Sequence, residues 1–164
     1  MLWNYRVWLR KAVFFCCENK IAGYALPTDM LLKTGIDMKE MPNNLKYAAT
    51  HEWASLESDQ VVRVGITDFA QSELGDIVFI GLPDVGRTVS VAEQLAVVES
   101  VKTASDLFAP VSGTVVEVNE SVQDAPEQVN DDAFGTWLFC IKADNPAELE
   151  QLLDAEAYQR MIEE

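Results

Sequence analysis

The sequence predicts a mostly β domain on the border between all-β and α+β. It reads as two antiparallel half-sheets in a flattened barrel or sandwich, with one short internal helix and a C-terminal helix. Three observations lead there. Apolar segments of strand length recur with turn residues between them. A single seven-residue stretch in the middle carries helix start and stop signals. A helical apolar period returns only after Asn145.

The elements follow in order. Tyr47, Trp53 and Leu56 are spaced apolar positions around Thr50–Trp53 and predict an early strand. Val61–Ile66 alternates, which places Val62, Val64 and Ile66 on one face. Thr67-Asp68 supplies an N-cap, with Gln71 three residues after Asp68 as in a capping box. Phe69, Ala70 and Leu74 give that helix an inward face, and Gly75 ends it as a C′ residue. Ile77–Leu82 reads as a buried strand closed by the turn at Pro83-Asp84 and Gly86. Thr88–Val91 reads as an edge strand. Asn119–Phe134 reads as loop, because Asp124, Pro126, Asn130, Asp131 and Asp132 suppress regular structure. Trp137, Phe139 and Ile141 alternate onto one face of a last strand. Asn145-Pro146 then opens a helix as N-cap and N1. Leu149, Leu152 and Leu153 form its stripe, and Asp154 caps a further helical stretch with Tyr158, Met161 and Ile162. Gly75–Val89 and Ala109–Val122 echo one another, as two similar half-sheets would.

Charge narrows the partners. The chain has 164 residues and a net charge of −15. Residues 1–37 hold five basic and three acidic side chains, so residues 38–164 hold seven and 24. A field of that sign repels phosphate backbones and anionic lipid, and favours protein partners with basic faces. Cys16, Cys17 and Cys140 form no disulfide framework and have no metal-ligand spacing, which fits a reducing compartment.

Two apolar runs, Leu95–Val98 and Val115–Val118, flank a polar interval that holds Lys102 where a hairpin turns. Pro110 and Gly113 mark a second turn before the later run. A turn lysine is ordinarily a solubility or edge-blocking residue. A lysine ammonium is also a poor nucleophile without burial or an adjacent base, and the sequence signals neither. What the position offers is accessibility on a rigid support, which suits an attachment point for a modifying enzyme. No nucleophile–base pair, metal cluster or phosphate-binding loop is visible, so an enzyme is the poorest fit.

The segments LKYAATHEW (Leu45–Trp53), VGITDFAQSELGDIVFIGLP (Val64–Pro83) and VVESVKTASDLFAPVSGTVVEVNE (Val97–Glu120) stand in one order. PEQVN (Pro126–Asn130) and the tail Ala147–Ile162 complete the set. In these residues the chain resembles the lipoyl-carrying H protein of the glycine cleavage system. The resemblance implies a hammerhead fold over residues 38–164, a helical tail at 146–163, and lipoate in amide linkage to Lys102. It implies a non-catalytic carrier whose arm visits a pyridoxal-phosphate glycine decarboxylase, a folate-dependent aminomethyltransferase and dihydrolipoamide dehydrogenase. A lipoate ligase, or an octanoyltransferase with lipoyl synthase, would load it. Thr50, Glu52 and Asp106 match positions that line a cleft for the aminomethylated arm. Glu73 stands where some relatives have histidine. His51, the one histidine, reads as structural. The family's Gly-x-Gly-Trp turn is one residue shorter here, at Phe134–Trp137, which threatens the register of the last strand.

Of three rival readings, the first fits poorly and the other two remain open. A biotinyl domain would want methionine on both sides of the lysine, where Val101 and Thr103 stand. A lipoate relay to 2-oxoacid dehydrogenases and an acidic interaction module with an unmodified lysine both fit the composition. Residues 1–37 match nothing in the family and lack the features of a signal or transit peptide. They read as an extension outside the domain, either an early start or a short amphipathic anchor. The expected location is the bacterial cytoplasm.

Overall fold

The computed structural model describes residues 41–163. The extension at 1–37 and the boundary at Met38 lie outside the described residues. Nine strands are present among the described residues, in two antiparallel sheets that do not close into a barrel.

The larger sheet holds six strands: β1 (Lys46–Tyr47), β2 (Glu52–Leu56), β3 (Val61–Ile66), β9 (Phe139–Ala143), β8 (Gly113–Val118) and β5 (Thr88–Val89), in that spatial order. The smaller holds β4 (Ile77–Gly81), β6 (Gln94–Ser100) and β7 (Ala104–Phe108). The two are therefore unequal, where the internal echo suggested similar halves: β4 falls in the small sheet and β8 in the large one.

Alternation in β3 works as read. Val62, Val64 and Ile66 are buried in the main core with Ile80, Val98, Leu107, Val115 and Ile141. The early apolar segment is a hairpin, and Thr50-His51 lies in its turn instead of in a strand. Leu56 is exposed at the far end of β2. Trp53 faces a second cluster with Leu45, Tyr47, Ala155 and Tyr158. It pairs with Gly65, where an added Cβ would meet the indole at 2.5 Å. The helix α4 (Ala155–Glu163) covers this cluster, and Asp154 Oδ1 accepts the Ala157 N–H at 2.8 Å. The preceding stretch, Pro146–Gln151, is a 3₁₀ helix, with the Asn145 side chain accepting the Ala147 N–H.

Four further expectations about strands and loops need correction. First, β4 is not buried on both faces: Val78 and Phe79 are exposed, because the small sheet turns one face to solvent. Second, the segment read as loop contains two single-turn helices, α2 (Ser121–Asp124) and α3 (Gln128–Asp131). Each is anchored by one buried valine, Val122 or Val129. Third, Trp137 lies before β9 and packs with the second cluster, with Arg63 over its ring. Fourth, the Lys102 hairpin joins β6 to β7, not to Val115–Val118. The later run is β8, and Pro110–Gly113 carries the chain from one sheet to the other.

The short turn at Phe134–Trp137 leaves the last strand in register with β3, with Val64 opposite Phe139 and Val62 opposite Ile141. The irregularity lies on the other side, where β8 bulges between Val115 and Glu117 and Val116 is exposed.

Candidate functional site

The turn that carries Lys102 is pinned from two sides. The Ser100 N–H donates to Thr103 O at 2.7 Å. Ser100 Oγ accepts from the Lys102 and Thr103 N–H groups at 3.3 and 3.1 Å. From the residue just before β4, Asp76 O accepts the Val101 N–H at 3.0 Å. Neither corner residue needs a positive φ. Val101 is 69% exposed and Lys102 is exposed beside it, so the amine stands outside the packed sheets.

The Lys102 side chain lies against the end of α1 (Asp68–Leu74). Gly75 ends that helix, as read, with φ 78° and ψ −151°, a region essentially reserved for glycine. A Cβ there would stand 3.4 Å from Lys102 Cε and 3.7 Å from Nζ. Asn130, from α3, holds this corner with all of its amide. Its Nδ2 donates to Gln71 Oε1 at 2.9 Å and to Gly75 O at 3.0 Å, and its Oδ1 accepts the Ile77 N–H at 3.0 Å. At the other end Thr67 caps α1, accepting from Ala70 N–H. Gln71 bonds the Asp68 side chain and not its main chain, so the reciprocal capping box does not form.

The cleft residues expected from the sequence occupy different environments. Glu52 is 1% exposed. Its Oε1 accepts the Phe108 N–H at 2.8 Å, and Oε2 accepts the Thr50 hydroxyl. Burial raises its pKa; the Thr50 and Phe108 donors oppose this less strongly. Thr50 is itself exposed at the turn. Asp106 is exposed on β7 opposite Val97 and accepts from Gln94 Nε2. Glu73 is exposed on α1, two residues before the glycine that Lys102 touches. Thr50 and Glu52 are therefore directly joined. Glu73 and Asp106 lie on separate elements, α1 and β7.

His51 has φ 75° and packs against Phe69 with ring centroids 5.0 Å apart. Burial lowers its pKa, and the Glu73 charge acts in the opposite sense. Its Nδ1 stands 2.7 Å from Tyr158 Oη, which also stands 2.8 Å from Thr67 Oγ1. Burial pushes Tyr158 up to about 12, with a hydrogen bond to Thr67 opposing and the Glu52 charge adding to the rise. Sequence reasoning missed three residues here: Ser100, Asn130 and the hydroxyl of Tyr158. Ser100 was within sight, since a serine two residues before a turn lysine is a ready acceptor for main-chain N–H groups. The other two make contacts too distant in sequence to be signalled. No three His, Cys, Asp or Glu groups converge to hold a metal among the described residues. No described helix is long and apolar enough to cross a membrane.

An exposed primary amine on a pinned turn fits an amide-linked prosthetic group, because acylation there displaces no packed atom. The family model described as Glycine cleavage H-protein matches residues 45–164. A glycine cleavage system H protein of Alteromonas mediterranea is 57% identical over 128 residues, covering 77% of this chain and 99% of that protein. One from Burkholderia cenocepacia is 54% identical over 126 residues, covering 77% and 100%. The crystal structure of a glycine cleavage system H protein from Mycobacterium marinum superposes with a TM-score of 0.70. It has 41% identity and covers 76% of this chain and 100% of that one. The fold, the presented lysine and the match across nearly the whole of these relatives agree: the chain belongs to the glycine cleavage H-protein family.

Proposed function

We propose that this protein is the lipoyl-group carrier of a glycine cleavage system, with lipoate in amide linkage to Lys102. The observation that carries the reading is the exposed Lys102 amine on a turn fixed by Ser100 and Asp76, in a chain of that family. When attached, the dithiolane supplies the thiol chemistry that takes an aminomethyl group from glycine decarboxylase, yields it to the aminomethyltransferase and is reoxidised by dihydrolipoamide dehydrogenase. The protein supplies none of that chemistry and is not itself an enzyme. Its residues hold the anchor still, so that the arm alone sets the reach and the local concentration.

Exposed carboxylates on α1 (Glu73) and on β7 (Asp106) suit an arm that ends in a cationic amine. Thr50 and Glu52 serve differently in this reading, since both carboxylate oxygens of Glu52 are already engaged by the turn and by β7. They brace the turn before β2 and the strand β7. The carrier domain is 38–164, supported by a family match that begins at residue 45. The acidic surface favours partner enzymes with basic faces, including the ligase or octanoyltransferase and lipoyl synthase that load the arm. Bacterial relatives support a place in the cytoplasm.

The test is the intact mass of protein from its native host, with peptide mapping across Lys102. A lipoyl adduct on Lys102 is expected. An unmodified lysine in lipoate-replete cells overturns the reading.

A further inference from the structure

Tyr158 is fully buried and stacks on Tyr47, with centroids 4.9 Å apart and planes at 18°. Its hydroxyl sits between His51 Nδ1 and Thr67 Oγ1, and Thr67 is fully buried too. Each hydroxyl has one proton to give, and the ring nitrogen has one or none. Suppose Nδ1 carries hydrogen. It then donates to Tyr158, Tyr158 donates to Thr67, and the threonine hydrogen has no use along this chain. Its other neighbour there, the Ala70 N–H, is itself a donor. Suppose instead that Nδ1 is bare. Tyr158 donates to Nδ1, Thr67 donates to Tyr158, Ala70 N–H donates to Thr67, and every group in the chain is matched. Leaving a buried hydroxyl unmatched shifts such an equilibrium roughly tenfold or more. The second arrangement prevails.

This chain of hydrogen bonds touches both supports of the lysine. The main-chain O of His51 accepts the Thr67 N–H at 3.0 Å, joining the turn to the start of α1, whose far end bears Gly75. The next residue, Glu52, holds β7 at the Phe108 N–H, and β7 is the return strand of the Lys102 hairpin. We propose that Tyr158 is a positioning residue that holds His51 as its Nε2–H tautomer and, through His51 and Thr67, fixes the two elements flanking the Lys102 arm. The ring, half-buried, then keeps an N–H at Nε2, with the Glu73 charge acting on it. The functional half of the proposal rests on Lys102 being the lipoyl anchor.

The chain has one histidine, so a long-range ¹⁵N–¹H spectrum of the full-length protein at about pH 8 reports on His51 alone. The expected result is a protonated Nε2 and a bare Nδ1. Tyr158→Phe keeps the stacked ring and should turn this into a tautomer mixture. In the lipoylated protein it should also lower kcat/KM for glycine–bicarbonate exchange with glycine decarboxylase about threefold to tenfold. Tyr47→Phe is the control: it loses only the 2.7 Å bond to Pro42 O, so it should lower Tm yet keep the tautomer and the exchange rate. A wild-type spectrum with hydrogen on Nδ1, or a mixture, overturns the proposal whether or not the variant folds. So does a Tyr158→Phe protein that keeps both tautomer and rate. Lack of lipoate on native Lys102 overturns the carrier reading alone and leaves the tautomer result standing.

Discussion

The Glu52 carboxylate on β2 accepts the main-chain N–H of Phe108 on β7, so one buried acid ties the large sheet to the small one. The contact lies six residues along the chain from Lys102, on the strand that returns from its turn. A carboxylate 1% exposed has lost its water and survives because protein donors replace it.

Glu52→Ala leaves the Phe108 N–H and the Thr50 hydroxyl without their acceptor and opens a void. It should cost about 2–4 kcal/mol in urea denaturation. The pH dependence has a definite sign. The folded-state pKa is raised, mainly by burial, so the linked stability is fully present below the ordinary carboxylate range and is lost as pH rises through the folded value. Glu52→Gln cannot titrate. Melts from acid towards neutral pH should show the wild type losing ground relative to Glu52→Gln.

His51 contributes with the opposite sign. Burial lowers its folded pKa, so its linked stability is present above the ordinary value of 6.5 and is lost as pH falls towards the folded value. His51→Asn removes the titration while keeping a residue that tolerates positive φ. In that window the variant should lose less stability on acidification than the wild type. Parallel curves would show that His51 does not titrate differently on folding.

Lys102→Arg keeps charge and exposure at the turn but cannot form the amide. Its Tm should stay within about 1 °C of wild type, as for exposed substitutions generally. Lipoyl labelling in the host and glycine–bicarbonate exchange should both vanish; retained exchange would refute the anchor.

Gly75→Ala forces a side chain into a glycine-only backbone region and towards the Lys102 methylenes. A loss of about 1–3 kcal/mol is expected. Gly86 supplies a comparison, with φ 91° and nothing within 4 Å of an added Cβ. Gly86→Ala should leave the rate of lipoylation unchanged, whereas Gly75→Ala should alter it by displacing the lysine. Equal lipoylation rates would mean that the Gly75 contact does not position the amine.

Much of the fold was legible because β3, β6 and β9 bury residues at intervals that a strand imposes, and because Thr67, Asn145 and Asp154 cap their helices as short polar residues do. The misread partner of the Lys102 hairpin has a physical cause. In β7 only Leu107 is buried, since both strand neighbours of that residue face or approach solvent, so the strand lacks a continuous apolar signature. The single-turn helices α2 and α3 are shorter than one period of the pattern that reveals helices. At the site, Lys102 was legible from its turn. Glu52 read only as a cleft position, and its burial was not legible, because composition does not reveal that Phe108, 56 residues away, supplies a donor. Tyr158 read as one more apolar helix position; its ring obeys that pattern while its hydroxyl reaches residues over 90 positions away.

The turn bonded within itself through Ser100 and across to Asp76 has a mechanical consequence. A tether on a flexing loop smears its free end over a shell whose radius and centre both fluctuate. A tether on a braced turn sweeps a shell with a fixed centre. Its encounter statistics with a docked enzyme then depend on tether length and on how the enzyme seats, two quantities that vary independently. Lengthening the 100–103 turn with glycines should degrade transfer even with the lysine, the modification and both sheets intact, because the bracing is lost and the centre begins to wander.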